Sequence, residues 1–66
     1  MKATVNGDEL ELPDGTSVAD VLRRIGAPDS GIAVARQGEV VPRAAWDSTP
    51  VQDGDGIEVL TAVQGG

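Results

Sequence analysis

The chain contains no cysteine, histidine, tyrosine or phenylalanine, and its one aromatic residue is Trp46. Without cysteine there is no disulfide, no thiolate nucleophile and no thiolate metal site. Without histidine the commonest general base and metal ligand is missing. Positive charge is also scarce: five Lys and Arg face eleven Asp and Glu, a formal net charge of −6. Nucleic-acid phosphates would repel such a surface, so no nucleic-acid partner is expected. Docking on a basic protein surface suits the charge, and so does plain solubility. No signal peptide or membrane-length apolar run is visible, so a cytoplasmic protein without a membrane role is expected.

What remains is a single small domain. At 66 residues the core is modest and leaves little room for an enclosed substrate pocket. A hydrophobic content of 39% is too high for a chain disordered by composition. The core must come from Val, Leu, Ile and Ala.

Lys2–Val5 and Glu9–Leu12 alternate around Asn6-Gly7. That dipeptide signals a hairpin, because both central turn positions need φ > 0. Ser17 followed by Asp20 reads as an N-cap with an acid at N3. Val18, Val21, Leu22 and Ile25 then fall on one helix face. Gly26 suits C′, and Pro28 blocks continuation. Two short strands, Ile32–Arg36 and Glu39–Val41, flank Gln37-Gly38. Arg43–Trp46 can make one helical turn. Asp53-Gly54-Asp55-Gly56 is a tight turn before the final strand, Ile57–Ala62. This order predicts an α+β fold, a mixed four- to five-stranded sheet packed on one helix, with the first and last strands parallel at the centre. It is the order of the β-grasp, or ubiquitin-like, architecture. The domain is expected to span residues 1–62, followed by a flexible diglycine tail over 63–66.

Autonomous chemistry has few places to sit. Asp53 and Asp55 flank a glycine, yet the apolar strand that follows lacks the other oxygen ligands of a cation loop, so they read as turn residues and no metal site is expected. Glu9 and Glu11 share a strand face and read as solvated. No phosphate-binding glycine pattern occurs, and no base is present to activate a hydroxyl. Trp46 either covers one end of the core or serves a partner. Arg36 and Arg43 are each open between surface charge and partner contact.

The end of the chain is more informative. Period-2 alternation that buries Ile57 and Val59 sends Glu58, Leu60 and Ala62 to the opposite face. Leu60 and Ala62 would form an apolar dock just upstream of Val63, Gln64, Gly65 and Gly66. Two glycines leave the terminal carboxylate unflanked, so a narrow pocket can admit it. Extended, Val63–Gly66 reaches about 13–14 Å at ~3.3–3.6 Å per residue. A cloning scar is the alternative, but the hairpin, capped helix and final strand agree on a fold that uses such a tail.

Several segments carry a resemblance that covers nearly the whole chain. They are S-V-A-D-V-L at Ser17–Leu22, A-V-A-R-Q-G-E-V-V-P-R-A-A-W at Ala33–Trp46, Q-D-G-D-G-I-E-V-L at Gln52–Leu60, and the terminal G-G. Together they resemble the bacterial sulfur-carrier family ThiS. Val41-Pro42-Arg43 through Trp46 is the most specific part. D-G-D and G-G are shared with the molybdopterin synthase small subunit and other ubiquitin-like carriers. Ala62–Gln64 lack the arginines that precede the diglycine of ubiquitin.

The resemblance implies a sulfur carrier for the thiazole ring of thiamin that is a protein co-substrate and not an enzyme. An E1-like adenylyltransferase would use ATP and Mg²⁺ to adenylate the Gly66 carboxylate. Sulfur, ultimately from cysteine through a desulfurase or another donor, would convert it to a thiocarboxylate, and thiazole synthase would consume that sulfur. The chain itself would bind no cofactor and be a monomer when free. Gly66 would be the reacting residue, with Gly65, Gln64 and Val63 as the tail and Leu60, Ala62 and Arg43 as docking residues. The alternatives are a molybdopterin-synthase-type sulfur carrier and a ubiquitin-like modifier or binding module.

Overall fold

The computed structural model describes residues 1–61. Five strands and two helical segments follow in the order β1 (Lys2–Val5), β2 (Asp8–Glu11), α1 (Val18–Arg24), β3 (Ile32–Arg36), β4 (Glu39–Val40), a 3₁₀ helix (Arg43–Ser48) and β5 (Gly56–Thr61). The strands form one sheet in the order β2-β1-β5-β3-β4. β1 and β5 pair in parallel at its centre, and the other neighbours are antiparallel. This is the expected β-grasp arrangement, with five strands. The boundary expected after residue 62 and the tail over 63–66 lie outside the described residues.

Local chemistry explains the elements. Val5 pairs with Asp8, so the hairpin loop is only Asn6 and Gly7, at φ +52° and +85°. Asp8 therefore belongs to β2 and not to the turn. α1 begins with a full capping box: the Ser17 hydroxyl accepts the Asp20 N–H, and the Asp20 carboxylate accepts the Ser17 N–H. That backbone bond, followed by the Arg23 guanidinium, holds the Asp20 carboxyl below its ordinary range. The helix ends in a Schellman pattern, with the Ala27 N–H on the Leu22 carbonyl and the Gly26 N–H on Arg23. Gly26 takes φ +72°, where a Cβ would be strained.

One face of α1 fills the core. Val18, Val21 and Leu22 pack with Ala3, Val5, Leu12, Val34, Val51 and Ile57. Each fully buried Val or Ile contributes about 1.5–3 kcal/mol relative to exposure. With so few such residues, the domain depends on its backbone stitching as well. The Val18 N–H donates to Thr49 C=O, and the Val51 N–H donates to Thr16 C=O, tying the start of α1 to the segment before β5.

The 3₁₀ helix runs longer than the single turn expected over Arg43–Trp46. The hydroxyls of Ser48 and Thr49 both donate to the Ala45 carbonyl, which extends the turn into Asp47–Ser48.

Candidate functional site

The region of interest is β5, because residues 62–66 follow it directly. Its entry is built by the turn that was read as Asp53–Gly56. Lys2 N–H donates to the Asp53 carboxylate at 2.8 Å, and Gly54 N–H donates to Lys2 C=O at 2.7 Å. Asp55 is buried, at 5% exposure. Its Oδ2 accepts both Arg36 Nε at 2.6 Å and the Gln52 N–H at 2.7 Å. Both aspartates are thus structural, as expected. Arg36, left open by the sequence, is one half of a largely buried ion pair. Among the described residues no group of three or more His, Cys, Asp or Glu is placed to hold a metal ion. No helix among them is long and apolar enough to cross a membrane.

By sequence Gln37 and Asn6 are residues between paired strands, yet both side chains reach β5. The Gln37 amide oxygen accepts the Gly56 N–H, while Gln37 N–H donates to Gly56 C=O. Asn6 Oδ1 accepts the Val59 N–H at 2.9 Å, and Asn6 Nδ2 donates to Val59 C=O at 3.1 Å. The only sequence signal was that each side chain sits in a turn beside a strand and can mimic a peptide group.

The register sorts side chains onto two sheet faces. Ile57 is buried with α1 and Val59 is half-buried, as alternation predicted. Leu60 lies opposite Ala33, and Glu58 opposite Ala35, which in turn faces Val40. These residues share the outer face, which α1 does not cover. Leu60 is 63% and Val40 74% exposed, so Ala33, Leu60 and Val40 give that face an open apolar component. Glu9 pairs with Thr4 and Glu11 with Lys2 on the far side of the same face. The outer face therefore grades from acidic at β2 to apolar at β3 and β4.

Arg43 is elsewhere. It lines an open groove of about 210 Å³ with Leu22 and Arg23 of α1 and with Trp46. Its guanidinium sits 5.7 Å from the Trp46 ring centroid, within cation–π range. The Trp46 N–H donates to Val41 C=O at 2.9 Å, and the ring packs against the core, so Trp46 is half-buried structure with one flank exposed. Arg43 and Leu60 are not brought together. Ala62, Val63, Gln64, Gly65 and Gly66 lie outside the described residues.

The sequence model of the ThiS family matches residues 2–66. The sulfur carrier protein ThiS of Escherichia coli is 30% identical over 66 residues, covering both chains completely. A thiazole synthase of Paramagnetospirillum magneticum is 32% identical over the whole of this chain, which spans only 20% of that protein's length. Among solved structures, the crystal structure of a thiamine biosynthesis protein (ThiS) from Geobacter metallireducens superimposes with a TM-score of 0.84 at 33% identity, covering both chains fully. A solution structure of a thiamine biosynthesis protein from the same organism gives 0.79 at 35% identity, covering all of this chain and 88% of that one.

Proposed function

This chain belongs to the ThiS family, and we propose on that premise that it carries sulfur to the thiazole ring of thiamin. The carrying atom is on Gly66. An α-carboxylate with a pKa near ~3.5 is anionic at neutral pH and a poor electrophile. An E1-like adenylyltransferase in the cytoplasm overcomes this with ATP and Mg²⁺. A Gly66 carboxylate oxygen attacks the α-phosphorus and pyrophosphate leaves. A persulfide sulfur, fed ultimately from cysteine by a desulfurase, then displaces AMP to give an acyl disulfide, and a thiol of the sulfur-delivering protein cleaves that disulfide, forming a protein disulfide and leaving the thiocarboxylate. Thiazole synthase consumes the sulfur and regenerates the carboxylate. A thiazole synthase containing a stretch similar to this entire chain supports that choice of consumer over a molybdopterin-type acceptor.

The carrier is a co-substrate. Its own residues bind and present, and they do not catalyse. β5 is the central strand, so its start is fixed by the core while its end points onward to residues 62–66. Leu60 and Ala62 meet the partner beside the tail, and Arg43 makes a separate contact from the groove beside α1. Gly65 and Gly66 keep the passage to the carboxyl free of side chains.

The observation that carries this reading is the end-to-end match, at 30% identity and without gaps in coverage, to a curated sulfur carrier of the same length. The test is intact mass spectrometry after incubation with the activating enzyme, ATP and a sulfur source. The full chain gains the mass of one oxygen-to-sulfur exchange. Deletion of Gly66 leaves circular dichroism and melting unchanged and abolishes that gain. A normal thiocarboxylate yield from the truncated chain would sink the proposal.

A further inference from the structure

Among the described residues, the outer half of β5 has a strand on one side only. β3 accompanies it as far as Thr61, whereas β1 pairs only with Gly56 and Ile57 before turning away at Asn6-Gly7. Alternate residues of a strand direct their backbone groups to alternate neighbours. Ile57 faces the β1 side, as its carbonyl bonded to the Asn6 N–H at 2.9 Å shows. Val59, two residues on, faces the same side, where no β1 backbone arrives. The Asn6 side chain arrives in its place and offers Val59 both an acceptor and a donor.

A primary amide carries the same donor and acceptor as a peptide group. Asn6 therefore adds the equivalent of one more ladder rung to β1 while the main chain is already turning back. The position makes two demands at once. Its φ of +52° suits Asn, Asp or Gly among common residues. Its contact with Val59 excludes Gly, which has no side chain, and disfavours Asp, whose carboxylate would face the Val59 carbonyl without a donor. An Asn-Gly hairpin needs only the first demand, so the turn alone does not explain the residue.

We propose that Asn6 is a positioning residue for the reaction at Gly66. It anchors the β1 side of β5 out to Val59, a stretch that β3 would otherwise hold from one side only, and so limits how far the strand end at Thr61 swings before a partner engages it. This role rests on the sulfur-carrier reading above. It acts through β5 and touches no reacting atom.

The test compares wild type with Asn6→Gly, which keeps a residue suited to positive φ and removes the amide. Ser17→Ala, which loses a helix cap far from Val59, controls for general destabilisation. Two readouts are needed. The first is hydrogen exchange at the Val59 amide, taken as a ratio to the Val41 amide, whose bond to the Val34 carbonyl lies on the other side of the sheet. The second is the steady-state rate of adenylation by the activating enzyme as carrier concentration varies. In Asn6→Gly the exchange ratio rises about tenfold, as expected for loss of two exposed hydrogen bonds. The KM for the carrier rises about fivefold with kcat nearly unchanged, because a looser strand end must be ordered on binding. Ser17→Ala moves neither ratio nor KM. An unchanged exchange ratio in Asn6→Gly overturns the clamp. A raised ratio with unchanged KM overturns its positioning role. A wild-type chain that the enzyme leaves unmodified overturns the sulfur-carrier reading and this role together.

Discussion

Gly56, at the start of β5, is held from both neighbouring sides, with Gln37 bonding its N–H and C=O and Thr4 beside it in the ladder. The turn before it is locked by the Arg36–Asp55 pair and by Asp53 on Lys2. Thr61, six residues into the strand at its other end, keeps β3 on one side and no β1 partner on the other. Between them, among the described residues, the Asn6 side chain bridges the gap at Val59. One strand thus passes from an end held by several side-chain and backbone bonds to an end paired with β3 alone among the described strands. That gradient suits the carrier role proposed above, in which a rigid domain would offer its end to another protein. Side-chain bonds cluster where β5 begins, an arrangement that would let a partner handle its end without disturbing the core.

The sharpest way to break this contrast is at the fixed end. Asp55→Ala leaves the Arg36 guanidinium partly buried without its carboxylate and frees the Gln52 N–H. It should cost about 3 kcal/mol, the low end for a broken buried pair because Arg36 keeps some solvent access. Denaturant titration checks this, and a loss below about 0.5 kcal/mol, the range of ordinary surface substitutions, would mean the entry turn is not the anchor. The exposed end should respond in the opposite way. Leu60→Ser should leave stability within about 0.5 kcal/mol of wild type. It should weaken binding to the activating enzyme about tenfold if the outer face is the dock, measured by titration calorimetry.

The smallest effect separates a buried ion pair from an exposed one. Asp20 and Arg23 sit on the surface of α1. The folded pKa of Asp20 is depressed, so the unfolded chain takes up its proton first on acidification. Its contribution is therefore complete above the ordinary Asp value of about 3.9 and fades as pH falls through the lower folded value. Asp20→Asn should be slightly less stable than wild type near neutrality, and the gap should close in acid. Parallel denaturation curves across that range give the measurement.

Most of the fold was legible because its signals are local. Asn6-Gly7 announced the hairpin, Ser17 and Asp20 the start of α1, and Gly26 with Pro28 its end. Alternation placed Ile57 inward and Leu60 outward. The misses at the site are contacts across sequence distance. Arg36 meets Asp55 across 19 positions, and Asn6 meets Val59 across 53. Neither partner is marked by residue type, since an Arg on a short strand and an Asn in a turn each have a sufficient local reason to be there. The extension of the 3₁₀ helix was hidden for a local reason, because Ser48 and Thr49 read as turn formers until their hydroxyls are seen to share the Ala45 carbonyl.

The two outermost strands decide who can approach this molecule. β2 presents Asp8, Glu9 and Glu11 within four residues, and β4 is two residues long and stops at Val41-Pro42. A second copy that tried to add its strand at β2 would meet the same carboxylates, and at β4 it would find almost no ladder to join. Such rims resist lateral growth into aggregates, even though Leu60 of β5 and Val40 of β4 itself leave apolar surface uncovered on the outer face. Rims of this kind would leave the outer face open to a different protein while discouraging edge-to-edge pairing between copies.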